Sequence, residues 1–502
     1  MGNPHDFDHD QRMVRKSGPI ESSVNIKAAP HGRPIAALAV VGLGTSLAPL
    51  DFAVNIAFPV MTQAFELQAH SIRWVAVSLL LTYGSLMLVF GALGDRIGHL
   101  QVFRAGLITS VVAFIGCALA PSFGWLLAAR VLQGVAVALT LSCGPALATL
   151  LFADSRRTWA LSAYGAMAAV AALIAPVIGG ASIALMGWPG VYWFRVPIML
   201  MALICLPVVS RSLKQSPVPG REVARPDFDV LGSSLLAASV ALLLLAPALP
   251  DQGPMRPGHS TTWIAGLCAV IGLTLMAAFI RRQRHRTHPF LPGSVVRNLD
   301  FWLINLAATI VQFTSFAVPL ITPYYLMHVT GLSSLASGAL LAIWAGGSLL
   351  GSGGATRLVR ALGNGGAAFL AILLATAGLA GLAVQGEATR FGLMSGALFI
   401  QGLGLGLFQV VYTDLVVASL PLSARGVAGS LTMVTRTIGL VFGASLWMAL
   451  LQGLNATARA ESIAPHAAYA GAYDGVMQAA AMVSGGFLLL SCLRRGLWFG
   501  RR

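Results

Sequence analysis

No Gly-x-x-x-x-Gly-Lys-Ser/Thr loop occurs anywhere in the chain, which excludes phosphate binding by a P-loop and energy from nucleotide hydrolysis. No His, Asp and Glu cluster has metal-ligand spacing near an interface, so no catalytic residue, metal site or cofactor is expected and an enzyme is not. Charge is scarce: 10% of the 502 residues are Asp, Glu, Lys or Arg, and acid is scarcest, with 17 Asp and Glu against 32 Lys and Arg. The longest polar segment is the stretch before residue 33, too short for a signalling domain, which argues against a membrane sensor. The five cysteines (Cys117, Cys143, Cys205, Cys268, Cys492) all lie in apolar runs, so buried thiols are expected and a disulfide framework is not.

What fills the chain is oil. It is 57% hydrophobic with a mean hydropathy of +0.79. Repeated apolar runs of ~20 residues are the mark of an all-α membrane protein. Fourteen such runs are expected, from 35–58 to 473–493, and the first is too long for a signal-peptide core and is expected to be retained. With the N-terminus inside, Lys and Arg crowd the cytoplasmic segments. Only Arg73, Arg256, Arg390 and Arg459 then fall outside, and Arg130, Arg195 and Arg436 within spans. That asymmetry of Lys and Arg orients the chain in a plasma (inner) membrane with both termini cytoplasmic, and because the basic residues sit in short loops the net charge of +15 does not mark nucleic-acid binding. Two basic loops, 211–226 and 281–300, bracket the seventh and eighth runs. The division expected is a tail over 1–34, a six-helix bundle over 35–210, a linker with two inserted helices over 211–300, a second six-helix bundle over 301–493 and a tail over 494–502. Paired six-helix halves suggest a site between them at mid-membrane.

The informative residues are those that break the oil. Asp51 lies in the first run, where a carboxylate costs ~2.5–3.5 kcal/mol on insertion scales, and Asn55 shares its face if the run is a regular helix. A carboxylate there is read as a proton- or cation-handling group of a secondary transporter. No histidine lies deep in any run, so carboxylates must carry any proton. In the fourth run, Arg130 and Gln133 sit about two turns from the outer end, and a buried guanidinium needs an acceptor. After the second run, Gly91, Asp95, Arg96 and Gly98 form either a capped loop with a solvated ion pair or a gate. Gly165, Pro176, Gly179 and Gly180 in the fifth run mark a bending point or a packing seam. Arg195, beside Tyr192, Trp193 and Phe194, is expected to snorkel outward. In the second half, Asp414 and Arg436 form either an interhelical ion pair or a second titrating site, and Gln312 and Gln409, with Asn305, Tyr324 and Tyr325, are expected on the cavity wall.

Taken in order, these stretches resemble the major facilitator superfamily, and more narrowly its fourteen-span drug:proton antiporters of the EmrB/QacA type. The resemblance runs from about 35 to 495. It is carried by Leu50-Asp51 through Asn55 to Pro59, Gly91 to Gly98, Leu126 to Gly134, Gly165 to Gly180 (the antiporter motif), and Arg425-Gly426 through Arg436 to Gly439. Departures stand at His99-Leu100, where two basic residues are usual, at Ala175, at Arg195 where asparagine is common, and at Asp414 where an uncharged polar residue is. The resemblance implies a major facilitator fold and alternating access, with a proton entering from outside exchanged at Asp51 for a substrate leaving the cytoplasm. The resulting expectation is a monomeric exporter of amphipathic, cationic drugs, with a dedicated metabolite or antibiotic exporter as the alternative. The lipid bilayer, protons and a small-molecule substrate are the partners expected.

Overall fold

The computed structural model describes residues 32–68, 71–153, 156–215, 229–249, 262–284, 299–419 and 425–492. These stretches are helical almost throughout. An apolar chain in lipid has no water to satisfy its backbone, and a helix pairs each N–H and C=O within its own segment. Ten described helices are long and apolar enough to cross a membrane, and twelve if each of two bent pairs is one span.

The first bent pair comprises α1 (Gly32–Thr45), α2 (Leu47–Leu50) and α3 (Phe52–Ala64), with a bend of 42°. Its cause is Pro49, whose missing N–H leaves the Thr45 carbonyl without its helical donor. The second lies in α4 (Arg73–Ile97), bent by 46° between Met87 and Val89. Then come α5 (His99–Ala118), α6 (Phe123–Leu150) and α7 (Arg157–Met186). Three short pieces, α8 (Gly190–Trp193), α9 (Arg195–Ile204) and α10 (Leu206–Lys214), share the span Gly190–Lys214. The inserted segment supplies α11 (Val230–Leu245) and α12 (Thr262–Arg284). The second half holds α13 (Leu299–Ser315) and α14 (Ala317–His328), together one span, then α15 (Ser334–Leu382), α16 (Phe391–Ser419), α17 (Arg425–Ala460) and α18 (Pro465–Cys492).

This count falls short of the fourteen runs expected, at two places. Helix α15 continues for 49 residues through the loop expected near 357–364. Its one break is Gly363 (φ 73, ψ 169), in the left-handed region that favours glycine, where two helices meet across a kink. Helix α11 has 16 residues, fewer than the ~20 that cross a hydrocarbon core without thinning it.

In the first half, α4 and α5 pack on α6, and α3 runs along α7. In the second, α13 packs on α17, and α15 on α16 and α18. Small residues set the α15–α16 approach. A methyl on Gly347 or Gly351 would strike the backbone of Phe399 or Leu403, and one on Gly402 or Gly406 that of Trp344 or Ser348. Helices α11 and α12 pair with each other, and α11 leans on α4. Arg282 of α12 ties the pair by donating to both carboxylate oxygens of Asp229 at 2.8–3.0 Å. Contacts between the halves run α3–α14, α4–α17 and α7–α15. All five cysteines are free; Cys117 and Cys143 are buried as expected, but Cys205, Cys268 and Cys492 are only half-buried.

Candidate functional site

Asp51 sits at the junction of α2 and α3, where the tightened turn changes the local hydrogen bonding. Val54 donates its N–H to the Asp51 carbonyl rather than to that of Leu50, which leaves the Leu50 carbonyl open. Two arginines and a glutamine converge on this point. Arg130 of α6 grips the carboxylate with a fork, Nη1 to Oδ1 at 2.7 Å and Nη2 to Oδ2 at 2.8 Å. Its Nε donates to the Val75 carbonyl of α4 at 2.8 Å, and its Nη1 also to Gln133 Oε1 at 2.8 Å. Gln133 returns a bond from Nε2 to Asp51 Oδ1 at 3.0 Å.

The second arginine is Arg195. The expectation that it snorkels outward is overturned: it is 0% exposed, donates to Asp51 Oδ1 at 2.9 Å and takes the open Leu50 carbonyl at 2.6 Å. The rings of Phe114, Phe194 and Tyr192 surround the guanidinium, with centroids 5.4, 5.4 and 5.9 Å away. A buried cation that faces a carboxylate, a carbonyl and three π faces has no reason to seek the interface. Arg195 Nε and the Tyr192 hydroxyl are buried without hydrogen-bond partners. The cluster thus holds two cations and one anion, with Asp51 oxygens accepting from Arg130, Arg195 and Gln133 and its side chain 16% exposed. Removing Asp51 from this set would leave two buried cations uncompensated, a loss that costs about 3–5 kcal/mol for a buried pair.

Asn55, one turn along α3, is 6% exposed and makes no hydrogen bond to Asp51. Residues Gly91 to Gly98 end α4. Gly98 (φ 100) makes the turn, and Asp95 pairs with His99 Nε2 at 3.2 Å across it, while Arg96 is exposed. In α7, Gly165 faces open space, whereas Gly179 approaches the Ala53 backbone of α3 and Gly180 the Ser334 carbonyl of α15. Gly338 of α15 meets the Pro176 carbonyl in return. This end of the motif is therefore a seam between the halves, strengthened by a 2.9 Å hydrogen bond between Thr62 of α3 and Tyr324 of α14.

In the second half, Asp414 is exposed and forms no ion pair with Arg436. Arg436 instead has the phenols of Tyr83 and Tyr412 within electrostatic reach. Gln312 is buried beside Gly439, and Gln409 is half-buried on α16. Two polar networks fix this half. Asn305 accepts from Tyr412 at 2.9 Å and Thr435 at 3.0 Å, and Gln401 bridges Trp344 and Ser315. No group of three His, Cys, Asp or Glu fit to hold a metal occurs among the described residues. The sequence did not point to Tyr83, and it placed Arg195, with Tyr192 beside it, at the outer interface. The one signal was that Arg195 stands where the resembled pattern has asparagine.

Comparison with known proteins places these features. The family described as Major Facilitator Superfamily matches residues 36–444. An uncharacterized transporter of this type from Mycobacterium tuberculosis is 32% identical over 62% of this chain, and that match spans only 51% of the longer relative. A riboflavin transporter of Clostridioides difficile is 24% identical over 82% of this chain and 86% of its own length. A tetracenomycin C resistance and export protein of Streptomyces glaucescens is 26% identical over 82% and 74%. By structure, a peptide transporter POT crystallised with sulfate superposes with a TM-score of 0.67 over 92% of this chain and 96% of that one, at 16% identity.

Proposed function

The chain belongs to the Major Facilitator Superfamily, and from that premise we propose that it is a proton-coupled antiporter exporting amphipathic compounds by alternating access. The observation that carries the reading is Asp51, a carboxylate held between two guanidiniums and an amide inside the first half. Protonation removes the anion that Arg130 and Arg195 share. It thereby loosens α2 and α3 from α6 and α9 in one step, which is how a proton can bias a two-state bundle. The seam formed by Thr62 and Tyr324, Gly180 and Ser334, and Gly338 and Pro176 lies toward the outer ends of the helices when the N-terminus is inside. Closure there leaves the cytoplasmic side to receive cargo.

The same reading takes fourteen spans: each bent pair as one, α15 as two across Gly363, and α11 as a short one. Both basic termini then lie in the cytoplasm, the chain sits in the inner membrane, and a monomer suffices. Export of drugs is supported by the relative named for tetracenomycin C resistance and export. A cationic cargo finds less support, because Asp51 is already occupied by arginines and Asp414 is exposed. A second reading, a carrier dedicated to one metabolite, is favoured by the riboflavin transporter that matches over 82% of the chain.

The test is proton release from energised inverted vesicles on addition of a panel of amphipathic compounds, against vesicles lacking the protein. Release by several unrelated compounds supports the drug exporter. A response to one compound alone selects the dedicated carrier, and no response to any sinks the proposal.

A further inference from the structure

Among the described residues, three arginines within the spans face a single carboxylate partner. Arg130 and Arg195 share one carboxylate, Asp51. Arg436 has none, and no ion pair or hydrogen bond among the described residues engages its guanidinium. The other acids whose side chains are described are engaged elsewhere or exposed. Asp474 accepts from the backbone N–H groups of Gln385 and Gly386, Asp229 holds Arg282, Asp95 pairs with His99, and Asp414 is exposed.

Arg436 also sits where the halves meet. It lies on α17, which packs on α4 of the first half and α13 of the second. Its neighbours on the chain face protein on both sides. Thr435 is 6% exposed and bonds Asn305 of α13, while Thr437 is 1% exposed and lies against Gly84 of α4. Between these two buried positions Arg436 is half-buried, on a helix that touches both halves. Tyr83 on α4 and Tyr412 on α16 lie within its electrostatic reach, and Tyr83 is also within electrostatic reach of Asp51. A lone guanidinium at this depth is costly unless something anionic visits it.

We propose that Arg436, with Tyr83 and Tyr412 near it, is the docking point for an acidic group of the cargo, so that the exported compound is an amphipathic organic acid. The inference rests on the exporter reading and names its substrate class. A guanidinium offers a planar pair of donors that matches a carboxylate, and the two phenol rings supply apolar contact for the body of the molecule. Export of an anion in exchange for an inward proton also moves charge in the direction an inside-negative potential drives it.

The experiment is equilibrium binding to the purified full-length protein of three fluorescent probes matched in size: pyrenebutyrate, its methyl ester and pyrenebutyltrimethylammonium. The acid is expected to bind about tenfold tighter than the other two, or more, the ratio one charge-assisted contact supplies. Arg436→Gln removes that preference and Arg436→Lys keeps part of it, with size-exclusion profiles of both variants showing that they fold. The inference is overturned if the native protein binds no probe, if the ester or the cation binds as tightly as the acid, or if Arg436→Gln keeps the preference. Acid-selective binding without transport in vesicles would leave this site standing and remove the exporter reading instead.

Discussion

Arg195 and Arg130 hold Asp51 in different ways, and the difference has consequences. Arg130 makes the fork and is tied to α4 through the Val75 carbonyl, whereas Arg195 makes one bond to the carboxylate and one to the Leu50 backbone. Arg195→Gln keeps a polar side chain but removes the cation and exposes Leu50 to an unmet bond. Asp51 stays paired with Arg130, so the expected loss is that of the Leu50 carbonyl's donor, about 1–3 kcal/mol, read as a lowered melting temperature in detergent. Phe114→Leu removes one of the three rings around the guanidinium and is expected to cost less, about 0.5–2 kcal/mol by the same measurement. Asp51 and Arg130 were legible in the sequence because a charge among apolar residues announces a use or a partner. Arg195 was not, because an arginine near the end of an apolar run reaches either water or protein, and only the bend before α3 brings Asp51 to it. The Asp414–Arg436 pair raised as one reading failed for a related reason: charge on neighbouring helices says nothing of which faces they occupy.

At the scale of elements, prolines and glycines decide the geometry. Pro49 bends the first span and so sets the height of the carboxylate. The sequence pattern of α7 left a hinge and a seam equally open, and the close approaches of Gly179 and Gly180 favour the seam at that end. Gly180→Leu would force a side chain into the α15 backbone at Ser334, so expression is expected to persist while transport falls to background in the vesicle assay. Gly98→Ala tests the other kind of glycine. Nothing lies within 4 Å of the added methyl, so its effect is purely that of φ 100, about 1 kcal/mol or more of destabilisation. Normal thermal stability in Gly98→Ala would contradict the turn assigned there. The break expected over 357–364 is present at Gly363, but as a kink with helical geometry on both sides rather than a loop.

For the whole molecule, the apolar runs and the order of motifs were enough to predict an all-helical membrane transporter of the major facilitator fold. Fold depends on that coarse pattern, but cargo depends on which polar side chains share one cavity, which only the packed structure places together. Fourteen spans with both termini inside predict that cysteines introduced into 216–228 and 285–298 label only from the cytoplasm, and those in 250–261 only from outside. Labelling of either basic loop from outside would contradict the topology. The central claim is that Asp51 links proton binding to the movement of the halves. The most direct test is cargo-induced proton release in energised inverted vesicles, comparing the native protein with Asp51→Asn at matched expression. Release is expected in the native vesicles and none in the variant, even where the variant still binds cargo. A variant that releases protons as the native protein does would contradict it.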